Sequence, residues 1–354
     1  MAKRPRTLDA FFAPPPAKKQ HIDPTPSENG NTTTRPPTAP PHTDEQPQST
    51  HPTYPFPIPH LPASLTSPLH SAPATPPQVL NNHPDLDILY YKPYIPARTA
   101  TALFHHLRRS LPFYRVEYTI KRGTIETEVN TPRFTTVFGL DSSAVFPPHD
   151  GKPLDAKTRN PLAPGSYRCR PRPIPQCLSH LLAHTERTTD SKFNFALVNY
   201  YASGSDSIAF HSDSESFLGP DPTIASFTLG SSRDFLLKHK PTPSNHSSET
   251  KAMKLPLASG DMLLMKGQTQ RHWLHSIPKR KGPGGDGGRI NITFRRALSK
   301  AGTENYYRYN VGDAGGDGGQ VYKWDDARGT MRPWKPSGGP GVESSSRPDG
   351  VEHA

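Results

Sequence analysis

The sequence predicts an α+β fold: a double-stranded β-helix, or jelly-roll, core backed by two or more helices, with a long disordered N-terminal tail. Three observations carry this expectation. Eight short strand-like segments, most of them separated by Gly-, Pro- or Ser-rich turns, follow one another between residues 193 and 296, as in closed or sandwiched all-β architectures. Two leucine-periodic segments precede them, each able to bury one face. The first 84 residues are mostly Pro, Thr, Ser, Asn and His, which bury too little surface to offset the entropy of ordering.

Of 354 residues, 44 are Pro and 26 are Gly, and 32% are hydrophobic; with the apolar residues so unevenly placed, one domain with extensions is expected. The boundaries follow composition: a Pro-rich tail over 1–84, a core domain over 85–300, an ordered appendage over 301–335 and a disordered tail over 336–354. Within the first tail, Leu8, Phe11 and Phe12 recur at i, i+3 and i+4, the knob of a short helical docking peptide at 5–12. It resembles the peptide by which repair proteins bind the DNA sliding clamp, with Pro5 where that peptide has glutamine. The clusters Lys3-Arg4-Pro5-Arg6 and Lys18-Lys19 fit nuclear import.

Each core helix opens on an Ile-Pro pair, since proline suits the first helical turn. After Pro96 come Leu103, Leu107 and Leu111; after Pro175 come Leu178, Leu181 and Leu182. The strands are expected at 193–201, 207–213, 223–229, 233–239, 254–257, 261–266, 271–277 and 289–296, with flexible loops at 240–251 and 280–288. Aromatics return at Tyr306, Tyr307, Tyr309, Tyr322, Trp324 and Trp334, hence the appendage.

Net charge is +11 and the pI near 9.6, which favours a polyanionic partner. Cys169 and Cys177, the only cysteines, have seven residues between them; they match no common zinc pattern and make no disulfide framework, so a reducing compartment is expected. No apolar run reaches membrane-spanning length and no hydrophobic stretch follows the basic start, so the expectation is an intracellular protein with no membrane partner.

The chemistry begins at His211-Ser212-Asp213. Two residues apart on a strand, an imidazole and a carboxylate point to one face and can share a metal. A third ligand is offered by His272 or His275, which lie on opposite faces of a strand, so at most one turns inward. Two histidines and a carboxylate form the facial triad of non-haem iron sites, leaving positions for a bidentate oxoacid and O₂. A structural zinc would want a fourth protein ligand, preferably Cys. An oxoacid with a distal carboxylate needs a cation, and the Arg fork suits it. In the strand 289–296, Arg289, Asn291, Thr293 and Arg295 share one face. In 193–201, an apolar face ends in Asn199 and Tyr201, as at a pocket mouth.

Asn199-x-Tyr201, His211-x-Asp213, His275 and Arg289-x5-Arg295, in that order, resemble the signature of AlkB-type Fe(II)- and 2-oxoglutarate-dependent dioxygenases, most closely the nuclear DNA-repair branch. Phe193-Asn194-Phe195, Ser232-Arg233-Asp234-Phe235, Gly260-Asp261 and His272-Trp273 extend the similarity over about 85–297. The resemblance implies that His211, Asp213 and His275 bind Fe(II), that Asn199 and Tyr201 hydrogen-bond 2-oxoglutarate, that Arg289 sits at its iron-proximal carboxylate and that Arg295 clamps its distal one. It implies that Glu215 contacts the exocyclic group of a flipped base and that Arg133, in Thr131-Pro132-Arg133, is a lid residue. The base-stacking aromatic is expected at Tyr167, or else Phe138, near an insertion at 141–165. A hairpin tipped by Lys121-Arg122-Gly123 falls where that branch probes the duplex.

The activity that the resemblance implies is oxidative demethylation of 1-methyladenine and 3-methylcytosine in DNA, consuming O₂ and 2-oxoglutarate, by a nuclear monomer. RNA or protein demethylation by the same centre, and a non-catalytic nucleic-acid- or clamp-binding adaptor, are the alternatives.

Overall fold

The computed structural model describes residues 46–122, 125–147, 151–241, 251–281, 287–312 and 319–335. The docking motif with Leu8, Phe11 and Phe12, the tip of the Lys121–Gly123 hairpin, most of the loop at 240–251, part of that at 280–288 and the tail from 336 lie outside the described residues or at their edge. Residues from Pro47 onward form one compact unit.

The first elements depart from expectation. Strands β1 (Gln48–Ser49) and β2 (Ile58–Pro59) pair, and helix α1 (Ala63–His70) follows. Tyr54, Ile58, Leu61, Leu65 and Leu69 are buried. Tyr54 donates to Pro173 O at 2.7 Å, and Leu61 N–H donates to Gln176 Oε1 at 2.7 Å. Residues 47–84 therefore do not form the disordered tail that composition predicts. The average composition is that of a tail, but five apolar side chains reach the core while the prolines between them stay partly or fully exposed.

Strands β3 (Gln78–Leu80) and β4 (Ile88–Tyr91) form a hairpin. Helix α2 (Ala97–Ser110) begins directly after Pro96 and buries Leu103, Phe104 and Leu107, with Leu111 at its C-terminal cap. Strands β5 (Phe113–Arg122) and β6 (Ile125–Gly139) make the expected hairpin. The insertion holds a two-residue ladder, β7 (Ala144–Val145) with β8 (Leu154–Asp155). Helix α3 (Gln176–Thr189) begins after Pro175 and buries Leu178 and Leu181.

The remaining strands are β9 (Phe195–Tyr201), β10 (Ile208–His211), β11 (Ile224–Gly230), β12 (Arg233–His239), β13 (Met253–Leu257), β14 (Met262–Met265), then the short helix α4 (Thr269–His272), β15 (Trp273–Ile277) and β16 (Arg289–Arg295). They build two antiparallel sheets. The smaller has the order β10-β15-β12-β13; in the larger, β9-β16-β11-β14 is extended by β4 and β3 on one side and by β6 and β5 on the other. This is the expected jelly roll.

Alternation along the large sheet explains why it is buried on both faces. Ala196, Val198, Tyr200, Phe227, Ile290, Ile292 and Phe294 pack with the helix residues Leu103, Phe104, Leu107, Leu178 and Leu181. Phe195, Leu197, Ile224 and Met265 face the opposite way and join Phe235, Leu237, Leu257 and Ile277 of the small sheet. With residues of both faces covered, β9 reads as a run of seven buried side chains. Gly260, in the β13–β14 turn, has φ +93°, and a Cβ there would lie 2.2 Å from Ile95 O.

The segment 301–335 is not an appendage. Helix α5 (Lys300–Asn310) seats Tyr307, whose hydroxyl donates to Gly139 O and accepts from Arg172 N–H, both at 2.9 Å. Strand β17 (Val321–Asp325) pairs with β5 and with β18 (Thr330–Pro333), extending the large sheet. The Arg108 guanidinium of α2 lies 3.5 Å from the Trp324 ring centre, a cation–π contact that ties strand to helix. Tyr307 is buried in the core and Tyr306, Tyr322 and Trp324 pack against it, whereas Tyr309 is exposed.

Candidate metal and co-substrate site

A cavity of about 180 Å³ opens between the two sheets, lined from β9, β10, β11, β12, β14, β15, β16 and α5. Its polar residues are those the sequence singled out, with some additions.

His211 and His275 meet because the β10–β15 register shifts between Ile208 and His211, setting the two histidines opposite each other with ring centroids 4.2 Å apart. His211 Nδ1 lies 2.9 Å from Ala209 O. A carbonyl only accepts, so Nδ1 carries the proton and Nε2 keeps its lone pair for a metal. That Nε2 is 3.9 Å from Asp213 Oδ1, and His275 Nε2 is 4.0 Å from Asp213 Oδ2. All three ligand atoms lie within 4.8 Å of one another. Phe235 stacks on the His275 ring at 5.2 Å and 20°.

Asp213 arrives by a different route from the one expected. The strand ends at His211, so strand alternation does not aim the carboxylate. Instead its backbone N–H donates to Gln270 Oε1 at 2.8 Å, and Arg295 Nη2 approaches its Oδ2 at 2.9 Å. Likewise 271–277 is not one strand: α4 ends at His272, and of the two histidines only His275 turns into the cavity.

Charge in this centre is set by burial and by Arg295. Burial, with His211 beside it, pushes His275 down to about 3, which keeps the imidazole in its neutral, ligating form. Burial alone would raise the Asp213 carboxyl, but Arg295, His275 and His211 outweigh it and hold the group below the usual carboxylate range. Burial opposes charge on Arg295 too, and Asp213 with Tyr306 and Glu215 reverses that, leaving its pKa above the ordinary arginine value.

Arg289 is different. Only 2% exposed, it donates to Thr228 Oγ1 at 2.8 Å and lies with its guanidinium carbon 5.2 Å from the Tyr201 ring centre. Its Nε and Nη1 have no hydrogen-bond partner. Burial pushes it down to about 10, still a cation at neutral pH. A buried guanidinium with unmet donors is costly unless an anion completes it. The neighbouring Arg233 does not share that need to the same degree, because it donates to Ser203 O, Asp206 O and Pro278 O.

The two arginines differ in their partners. Arg295 contacts the Asp213 carboxylate and leaves its Nε without a partner. Arg289, toward the other end of β16, has no carboxylate partner among the described residues and leaves both Nε and Nη1 unmet, which favours the opposite order to the expected one. Asn199 and Tyr201 line the same cavity. Arg133 Nε donates to Asn199 Oδ1 at 3.1 Å, which puts this expected lid residue in the cavity lining beside an expected co-substrate contact.

Glu215 also lines the cavity. Its Oε1 accepts from the Tyr306 hydroxyl at 2.6 Å, its Oε2 is buried without a partner, and Arg295 Nη1 donates to the same hydroxyl at 2.6 Å. Tyr306 therefore links the Glu215 corner to the Arg295–Asp213 pair. Sequence reading missed this role, as it missed Gln270; the aromatic pair Tyr306-Tyr307 was the only signal.

The two stacking candidates are not at the cavity. Phe138 is fully buried in the core and packs edge-on against Tyr54, because strand alternation in β6 turns it toward the helices. The Tyr167 hydroxyl donates to Asp141 Oδ2 at 2.6 Å, and its ring takes no part in the cavity lining.

Two imidazoles with free nitrogens, an ionised carboxylate and a buried guanidinium with unmet donors fit a transition metal beside a dicarboxylate. The family model described as the 2OG-Fe(II) oxygenase superfamily matches residues 87–295. This chain belongs to that superfamily. The match ends at Arg295, so α5 and Tyr306 lie beyond it. Among relatives, the chain is 40% identical over 132 residues to the DNA oxidative demethylase ALKBH2 of Homo sapiens, covering 36% of this chain and 49% of that protein. It is 41% identical over 124 residues to the ALKBH2 of Arabidopsis thaliana, covering 30% and 39%. It is 38% identical over 120 residues to the alpha-ketoglutarate-dependent dioxygenase alkB homolog 3 of Mus musculus, covering 32% and 40%. The match spans half or less of the length of these relatives. Their names agree with the AlkB-type resemblance of the motifs.

Proposed function

We propose that this chain oxidatively demethylates N-alkylated bases in DNA, 1-methyladenine and 3-methylcytosine, as a direct-reversal repair enzyme using Fe(II), 2-oxoglutarate and O₂. The observation that carries the chemistry is the unmatched Arg289 cation in the same cavity as the His211, Asp213 and His275 ligand atoms. The choice of DNA rests on relatives named DNA oxidative demethylases and on the +11 charge.

In this reading His211, Asp213 and His275 hold the iron, and Arg289 takes the distal carboxylate of 2-oxoglutarate. When bound, that pair supplies O₂-dependent hydroxylation of an N-linked methyl group, which then leaves as formaldehyde. The protein's own part is positioning. Arg295 keeps Asp213 ionised, and Gln270 fixes the backbone that carries it. Asn199 and Tyr201 orient the co-substrate, with Arg133 as lid. Glu215 Oε2, buried and without a donor, receives the exocyclic amino group of the base. The base must leave the duplex stack to reach this depth, and alkyl damage that weakens pairing helps it do so.

Mass analysis of matched methylated DNA and RNA oligonucleotides tests the substrate. Loss of the methyl group from DNA at the higher rate is expected; a strong preference for RNA would retire the repair role. We further propose nuclear action, with the 5–12 motif docking on the sliding clamp: Phe11→Ala with Phe12→Ala should lower recruitment to replication sites with turnover in vitro unchanged, and unaltered recruitment would dismiss it.

A further inference from the structure

A second group of metal-ligating side chains lies outside the cavity. Asp85 stands between β3 and β4, His239 ends β12 and His272 ends α4. His239 Nε2 is 3.3 Å and His272 Nδ1 is 3.8 Å from the same atom, Asp85 Oδ2, and the three ligand atoms lie within 4.8 Å of one another. The other nitrogen of each ring is engaged. His239 Nδ1 lies 2.7 Å from Lys240 O, and His272 Nε2 lies 3.0 Å from Gln268 Oε1. Both oxygens only accept, so those nitrogens carry the protons and the inward pair present lone pairs to a carboxylate oxygen. One metal ion can serve all three groups.

We propose that Asp85, His239 and His272 form a zinc site distinct from the iron centre. The rings lie nearly parallel, 23° apart, with centroids separated by 6.0 Å. At that spacing one divalent ion satisfies both rings and the carboxylate. Ligands bonded at about 2.0–2.1 Å to a tetrahedral ion lie roughly 3.3 Å from each other, close to the observed pair. Two nitrogens and one oxygen suit zinc, with water as the fourth ligand; calcium and magnesium prefer oxygen throughout. Each ring nitrogen that does not face the carboxylate is held by a protein oxygen, the outer-shell arrangement that orients metal-bound histidines.

The site would clamp the turn before β4, on the large sheet, to β12 and α4 beside the small one. Trp273, next to His272, already crosses this seam: its Nε1 donates to Pro84 O at 3.0 Å, and its ring meets His239 edge-on at 5.2 Å. His275 follows three positions after His272, so zinc would brace the segment that carries an iron ligand.

Zinc binding to the metal-stripped full chain, measured by dialysis with elemental analysis, tests this. With two such groups among the described residues, the full chain should take one more zinc ion than the H239N/H272N variant. The H211A/D213A variant should retain one, and saturating zinc should raise its melting temperature by roughly 5 °C. Asp85→Asn in that background should abolish both the binding and the shift, a check that does not depend on removing two rings. A full chain that takes no more zinc than H239N/H272N would overturn the site. So would an H211A/D213A variant that binds none.

Discussion

His211 and His275 are register partners across β10 and β15, their rings 4.2 Å apart. Because the pairing shifts just before His211, the two side chains reach one point from neighbouring strands, and Asp213 closes the third side from the chain that follows. The metal site is thus built by strand register and completed by a segment that needs a separate anchor.

That anchor is Gln270, which accepts the Asp213 N–H at 2.8 Å. Gln270→Ala leaves the three ligands in place but frees the backbone between them. Iron affinity should fall about 10- to 100-fold, the usual effect of removing an outer-shell partner. Anaerobic iron titration measures it, and unchanged affinity would show that Asp213 is held by Arg295 alone.

Arg289 and Arg295 should separate by phenotype. Arg289→Lys keeps the charge but loses the planar fork, and the KM for 2-oxoglutarate should rise by about 1.5–3 kcal/mol, or roughly 10- to 150-fold, with iron affinity retained. Arg295→Lys should weaken iron binding, since its first partner is the ligand Asp213. Steady-state kinetics beside metal titration reads both. The reverse pattern would restore the order expected from sequence.

Tyr306→Phe removes the hydroxyl shared by Glu215 and Arg295 without opening a cavity. Succinate formation without a base should stay near the native rate, while base demethylation should fall about 10-fold, as for a lost charged hydrogen bond. Equal losses in both assays would mean that Tyr306 acts on the metal centre rather than on the substrate corner.

Leu69→Ala tests whether the segment before residue 84 belongs to the fold. Leu69 is 1% exposed, and truncating a buried leucine costs about 2–5 kcal/mol. Denaturant midpoints read the loss; a variant as stable as the native chain would return α1 to the surface.

Much of the fold and site was legible in the sequence because alternation is a local signal. β16 puts Arg289, Asn291, Thr293 and Arg295 on one face, and that face lines the cavity. Prolines 96 and 175 marked both helix starts within a residue. What composition hid was long-range: Leu65 and Leu69 sit among prolines, and nothing nearby says that α2 and α3 cover them. Tyr306 was visible as an aromatic, but its reach into the cavity depends on where α5 docks. Phe138 failed as a stacking candidate because its face of β6 is decided by the helices behind the sheet. That Arg295 rather than Arg289 contacts Asp213 was hidden too, because spacing along a strand does not say which end lies beside that carboxylate.

The most direct test loads the full chain anaerobically with Fe(II) and 2-oxoglutarate, adds a 1-methyladenine oligonucleotide, admits O₂ and measures succinate and oligonucleotide mass. Native protein should release succinate and shed the methyl group, and the H211A/D213A variant should do neither. Undiminished succinate release by that variant would contradict the assignment of the iron to His211, Asp213 and His275.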